Sequence, residues 1–432
     1  MQRRMLAAIA GVAVAGVLLA GCSGTTNEGT GTTDKLVWWS EFSEGEPMQV
    51  ALAEIVADFE DETGIEVDVQ WKGVQPVKQL LPSLTGGTPP IDLVDSYHGE
   101  IVRQLGSVGA ASDLTDLFDQ KIPGEDITLR EALGDSIVRD SAGPDGGAPY
   151  ISPFIVTAYG FLYNKATHPE IASAPPQTWD DFYDVLDSLK ADGRQPLALD
   201  GSLVGNNAMY FVYFTYAYGG TAAWFDALAD KSGAAWESDA VVKAAEQVER
   251  IVSSGYFLDG YEGTQYPGMQ QKWANNESDF LLNHSGVPSE AAPYTADGFA
   301  FDMFPFPGVD GKKPEVAPVD LNGFGILEGA KNEEAAKQFI LFTMKKENQE
   351  KLAKVGQIPA RADVTPPSFA TGMQDILQNG DSFQAQYTPE MVELLNTVFY
   401  PNDDDLIFGK IGAAEFVERM KTQSAEFWSA RG

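Results

Sequence analysis

The stretch LAEIVADFEDETGIEVDVQW, residues 52–71, changes its period half-way along, and that change decides the fold class. Leu52, Ile55, Val56 and Phe59 recur at the spacing of one helix face, Gly64 stands where a helix closes, and Ile65, Val67, Val69 and Trp71 then alternate as a strand does. Upstream, Leu36-Val37-Trp38-Trp39 reads as a buried strand. Downstream, residues 77–84 support a further helix, the turn Gly86-Gly87-Thr88-Pro89-Pro90 follows, and residues 91–94 form an apolar strand. Strand, helix, strand, helix, strand predicts an α/β chain with a mainly parallel sheet and helices on both faces.

Similar punctuation recurs. Thr178 opens a helix with Asp181 three residues on, Trp179, Phe182, Leu186 and Leu189 supply its core face, and Gly193 lies just past its end. Asn332 precedes Glu333 and Glu334, which favour a helix N-terminus, with Phe339, Ile340 and Met344 as the buried stripe. Phe416, Met420 and Phe427 mark a last amphipathic helix. No internal repeat is visible, so repeat architectures are not expected.

At the N-terminal end, Arg3 and Arg4 precede an apolar run over residues 5–20, the layout of an export signal and too short for a convincing membrane span. Leu19-Ala20-Gly21-Cys22 resembles a lipobox, in which small residues precede a cysteine that becomes acylated; Cys22 is the single cysteine of the chain. Residues 1–21 are therefore expected to be a lipoprotein signal peptide, and Cys22 a lipidation site. The small and polar residues 22–33 are expected to act as a flexible tether. The twin arginines leave the export route, Sec or Tat, open. The folded body should begin near Asp34 and is long enough to divide into two lobes.

The chain carries 29 basic and 63 acidic residues, a net charge of −34, and loss of Arg3 and Arg4 makes it more negative still. Such a charge repels nucleic acid and anionic lipid, and disfavours an anionic substrate relative to a neutral one. No Gly-x-Ser-x-Gly elbow, His-Glu-x-x-His helix or Walker loop occurs. His98, His168 and His284 are far apart in sequence, so no metal site is expected. Asn402-Asp403-Asp404-Asp405 lacks the alternating ligands of a calcium loop and reads as a solvated acidic loop. A secreted glycosidase would need two carboxylates flanking a scissile bond, and with 63 acids such pairs arise by chance and decide nothing.

Six segments carry a resemblance: WWS (38–40), FEDETGIEV (59–67), GTPPIDLV (87–94), YGFLYNK (159–165), PPQTWDDF (175–182) and GQIPAR (356–361). In this order and spacing the chain resembles the extracellular solute-binding proteins of bacterial carbohydrate ABC importers, the maltose-binding-protein-like group. The resemblance implies a two-lobed periplasmic-binding-protein-like fold with a hinge and an interlobe ligand cleft. It implies an N-terminal lobe of residues 34–156 plus 321–355 and a C-terminal lobe of 157–320 plus 356–432. Crossings are expected near residues 156–159, 319–323 and 355–359. It further implies a substrate-binding lipoprotein, not an enzyme, that needs no cofactor. Such a chain acts as a monomer held at the cell membrane by its lipid anchor, and delivers a sugar or oligosaccharide to ABC permease subunits. In the family a tryptophan within the segment matching residues 281–288 stacks on a sugar ring; here Val287 or a neighbour replaces it.

A sugar offers apolar C–H faces and rims of hydroxyls, so its cleft needs flat aromatic surfaces and side chains that make several hydrogen bonds. Candidates at strand ends and crossings are Trp39 and Glu41, Tyr97 and His98, Phe154 and Tyr159, and Asp320 and Asn322, with Trp224 and Trp273 near polar loops. Trp39 is expected to stack on a pyranose face and Glu41 to accept hydroxyl bonds. For Trp38, Trp71 and Trp179, which fall on regular apolar periodicity, core packing is the better reading.

Overall fold

The computed structural model describes residues 35–73, 75–143, 147–379 and 381–431. The expected signal peptide, Cys22 and the tether lie outside the described residues. Ten strands form one sheet: β1 (Lys35–Ser40), β2 (Glu66–Trp71), β3 (Leu93–Tyr97), β4 (Ser152–Asn164), β5 (Leu197–Ala198), β6 (Phe280–His284), β7 (Phe301–Pro305), β8 (Val316–Ile326), β9 (Ile358–Pro359) and β10 (Asp381–Gln384).

In β1 the two faces separate as alternation requires: Leu36, Trp38 and Ser40 are buried, while Val37 and Trp39 are half-buried on the opposite face. β1 runs parallel to both β2 and β3. Helix Pro47–Thr63 connects β1 to β2, burying Met48, Ala51, Leu52, Ile55, Val56 and Phe59. It ends at Gly64, whose φ of 73° suits glycine and whose N–H donates to the Glu60 carbonyl. The helix expected over residues 77–84 is split into an α turn, Pro76–Leu80, and a 3-10 stretch, Leu81–Gly86. Pro82 brings no N–H to continue the α ladder, which is why the turn tightens there.

Beyond β3 the parallel order stops. The path through the sheet is β2-β1-β3-β8-β4-β6-β5, with β8 antiparallel to both β3 and β4. β4 is 13 residues long and serves both halves of the fold. Residues 152–158 pair with β8, and residues 159–164 pair with β6 and β7. Ile155 and Val156 lie between Asn322 and Leu321 of β8 on one edge and Pro359 and Ile358 of β9 on the other. The three segments expected to cross thus lie side by side. Gly323 allows this close approach, because a Cβ there would sit 2.4 Å from the Ser152 carbonyl oxygen.

Two large apolar clusters flank β4. In the first, Trp38 meets Trp71, Phe324 and Phe339 at ring separations of 5.3–5.5 Å. The second gathers Phe161, Trp179, Phe182, Phe211, Trp224 and Phe399. Helix Trp179–Ala191 enters this cluster through a capping box, Thr178 and Asp181 each satisfying the other's backbone N–H. Asn332 precedes helix Glu333–Thr343, but its side-chain amide donates to Asp92 and to the Lys35 carbonyl, tying the helix start to the sheet.

The sheet is thus mixed and not mainly parallel as expected, because β4 and β8 pair antiparallel with their neighbours, and a further expectation is overturned. Residues 402–405 are not a solvated loop but part of helix Tyr400–Ile407, with Asn402 and Asp403 buried. Helical spacing places Phe399, Asp403, Leu406 and Ile407 on the inward face, and burial of the apolar members carries Asp403 with them. No helix among the described residues is long and apolar enough to cross a membrane.

Candidate functional site

The carboxyl ends of β1 and β3 lie side by side, and the residues that leave them converge. Trp38 Nε1 donates to Asp95 Oδ1 at 2.7 Å, and the Glu41 backbone N–H donates to Asp95 Oδ2 at 3.2 Å. Glu41 in turn accepts from Ser96 Oγ at 3.2 Å and from the Asn322 side-chain amide of β8. Asn322 pairs with Tyr97 across the β3–β8 ladder. Its Oδ1 has no partner among the described residues although the residue is 1% exposed.

Burial dominates the titration of this group. It pushes Asp95 up to about 7, against hydrogen bonds from Ser40, Glu41 and Trp38. Glu41 is raised by burial and then by the nearby Asp95 charge. Burial also pushes Asp320 up to about 7, against the pull of Gln384 and the charge of Arg103. None of these three carboxylates has a salt-bridge partner within 4.0 Å in the ion pairs of the described residues. His98 is pushed down to about 4 by burial, so it is neutral near pH 7.

Asp320 opens onto a cavity of about 380 Å³. On one side stand Tyr97, the last residue of β3, and His98 and Arg103 just after it; on another stands Tyr159, where β4 passes between its two sets of partners. The far wall comes from the helical segment Val204–Ala229, through Met209, Val212, Tyr213, Tyr216 and Trp224. Gln384, Gln386 and Tyr387 from β10 and its exit, and Asn396 and Tyr400 beyond, complete it. Tyr213 and Tyr216 stack at 6.0 Å, and Tyr159 meets Tyr213 edge-on at 6.4 Å. The result is an aromatic wall with a rim of carboxylate, amide, phenol and guanidinium groups. Such a lining suits a neutral, hydroxyl-rich molecule.

Of the sequence candidates, Tyr97, His98, Tyr159, Trp224 and Asp320 line this cavity, and Glu41 and Asn322 form the hydrogen-bonded group behind Tyr97. His98 is 2% exposed, with Nε2 3.3 Å from the Ala142 carbonyl. Trp224 is fully buried, and its indole N–H donates to Tyr387 Oη at 3.2 Å, so it braces the wall.

Trp39, Phe154 and Trp273 are not brought to the cavity. Trp39 points to the opposite face of β1 from Trp38, and the Lys72 ammonium sits 4.1 Å over its ring. Phe154 is fully buried against Phe324 at 4.5 Å. Trp273 is fully buried beside Phe299 and donates to the Asp279 carbonyl. Val287 is fully buried in the core. Tyr213, Tyr216, Tyr387, Tyr400, Arg103 and Gln384 were not singled out from sequence. The available signal was the run Tyr210, Tyr213 and Tyr216 at helical spacing, whose hydroxyls need partners wherever they are buried.

A sequence family described as bacterial extracellular solute-binding protein matches residues 43–350. The diacetylchitobiose-binding protein DasA of Streptomyces coelicolor is 26% identical over 402 residues, 86% of this chain and 88% of DasA. NgcE of the same organism, also described as diacetylchitobiose-binding, is 26% identical over 244 residues, 56% of this chain; the match spans 50% of NgcE's length. Among solved structures, the bacterial solute receptor AcbH, described as exclusively preferring β-D-galactopyranose, superposes with a TM-score of 0.72. Identity is 18%, and 92% of this chain and 98% of AcbH are covered. At that identity the likeness bears on the fold alone, which is the two-lobed α/β fold.

Proposed function

The chain belongs to the family of bacterial extracellular solute-binding proteins, and on that premise we propose that it captures a sugar or oligosaccharide in the cavity between Tyr97, Tyr159, Tyr216 and Asp320 and delivers it to a membrane importer. The observation that carries this reading is the cavity itself, about 380 Å³, aromatic on its walls and polar on its rim, at the exit of β3, the first half of β8 and the mid-point of β4. Open α/β sheets bind ligands beyond their strand carboxyl ends, where Tyr97 and His98 stand. In this reading residues 34–156 with 321–355 form one lobe and 157–320 with 356–432 the other. They close about the β4, β8 and β9 segments, and acylated Cys22 holds the receptor beside permease subunits. The names of DasA and NgcE make diacetylchitobiose the first sugar to try, and that of AcbH makes galactose the second.

The chain is taken as a receptor and not a hydrolase, and one incubation separates the two. Purified protein mixed with diacetylchitobiose, galactose and a panel of plant oligosaccharides should raise its melting temperature with at least one sugar, in proportion to RT ln(1 + [L]/Kd). Chromatography afterwards should return that sugar unchanged. Turnover of any member at an enzymatic rate contradicts the receptor reading.

A further inference from the structure

Beyond the cavity-lining Tyr159, β4 ends at Asn164, and the turn that follows brings His168 into the fold. Asn164 shapes this turn: its carbonyl accepts from the His168 N–H, and its side chain accepts from the Ala166 N–H. His168 is buried, with its ring stacked on Phe280 of β6 at 5.5 Å.

Each ring nitrogen faces a carboxylate. Nε2 is 2.8 Å from Oδ1 of Asp279, the residue before β6, and Nδ1 is 3.1 Å from Oε1 of Glu170, in helix Pro169–Ser173. Asp279 is buried and also accepts from Arg194, Nε to Oδ2 at 2.9 Å and Nη2 to Oδ1 at 2.7 Å. Lys165 and Asp302, also at this end of β4, pair with each other at 3.6 Å, and Lys190, Asp259 and Glu277 share with Arg194 the surface hollow that it lines. His168 therefore meets an acceptor at both nitrogens. A neutral imidazole has one N–H and satisfies one of them; the imidazolium has two and satisfies both. The hydrogen bond to Asp279 accordingly holds the His168 pKa above the ordinary histidine value, with Glu170 adding to it and burial opposing.

We propose that His168 is a proton-controlled clamp, which as an imidazolium donates to Asp279 and to Glu170 at once and so ties the start of β6 to the exit of β4. When the proton leaves, Nε2 keeps its hydrogen on buried Asp279, where a lost bond costs more, and Glu170, whose side chain is 65% exposed, turns to water. β6 runs on from the clamp to His284, which pairs with Tyr159 of the cavity wall, so the proton sets how firmly that wall's partner strand is anchored. The family is extracellular, and such a chain meets the pH of its surroundings directly. The clamp does not depend on which ligand the cavity takes. Because the folded chain holds this proton more tightly than the unfolded one, the clamp's contribution is full below about 6.5 and is lost as pH rises through the folded midpoint.

Ring-nitrogen NMR of the histidine-labelled full chain tests this, with His168→Gln identifying the signal. His168 should carry two N–H groups near pH 6, titrate with a midpoint above about 6.5, and leave the Nε2–H tautomer at high pH. Glu170→Gln, an exposed change that keeps Asp279 in place, should lower that midpoint by roughly half a pH unit. In urea melts the advantage of wild type over Glu170→Gln should shrink between pH 6 and pH 9. A wild-type midpoint at or below about 6.5 overturns the clamp. So does a midpoint that Glu170→Gln leaves unchanged, since Asp279 then acts alone, or a stability advantage equal at the two pH values.

Discussion

Glu41 and Asn322 stand 281 residues apart in the sequence, and the amide of one donates to the carboxylate of the other. The bond joins the loop after β1 to β8 and fixes the group from which Tyr97 projects. Asn322 is almost wholly withdrawn from water and Glu41 is half-buried, so Asn322 left without its partner bears a desolvation cost. Asn322→Ala should destabilise the protein by about 1.5–3 kcal/mol in urea melts near pH 8. In a Glu41→Ala background the same change should cost much less. Equal costs in the two backgrounds would show that the pair is not coupled.

The buried carboxylates set a pH dependence with a definite sign. Asp320 and Asp95 ionise near 7 in the folded chain, against about 4 when unfolded. Below about 4 both states hold these protons. As pH rises from about 4 to about 7 the unfolded state ionises first, so stability is lost across that window and levels off above it. His98, about 4 when folded, acts oppositely between about 4 and 6.5 and obscures the trend in the wild type. The clean measurement is therefore the stability difference between Asp320→Asn and wild type. That difference should favour the variant increasingly from pH 4 to pH 7; a flat difference contradicts the burial of Asp320.

Asp403 presents a cost with no visible return. It is fully buried in helix Tyr400–Ile407, neither carboxylate oxygen has a hydrogen-bond partner among the described residues, and burial with the neighbouring Asp404 raises its pKa. Asp403→Asn should stabilise the chain by about 1–3 kcal/mol near pH 8. The gain should shrink on acidification, as the native carboxyl takes up its proton. Denaturant midpoints at two pH values check both parts. A destabilised Asp403→Asn would mean that the charge has a counterpart.

Local features of the fold were legible because their causes are local. The alternation in β1, the glycine stop at Gly64 and the Thr178–Asp181 capping box each need only a few neighbouring residues. The antiparallel insertion of β8 between β3 and β4 was not legible, since it pairs residues more than 150 positions apart. Of the site candidates, Tyr97 and His98 at the end of β3, and Tyr159 and Asp320 inside β4 and β8, line the cavity. Trp39 does not, because Lys72, from just beyond the neighbouring strand, covers its ring. Tyr213 and Tyr216 hid inside a helix apolar on every side, and Tyr387 arrives through the pairing of β10 with β8. Asp403 misled because an acidic run suggests solvent, whereas helical spacing to Phe399 and Ile407 turns it inward.

The central claim, that a sugar sits in the cavity edged by Asp320, is tested most directly by calorimetric titration of wild type and Asp320→Ala with the sugar that most raises the wild-type melting temperature. The account predicts saturable binding of one sugar per wild-type chain. In a variant that melts no lower than the wild type, affinity should fall at least roughly tenfold, about 1.4 kcal/mol. Equal affinity in the two folded proteins would place the ligand elsewhere and contradict the account.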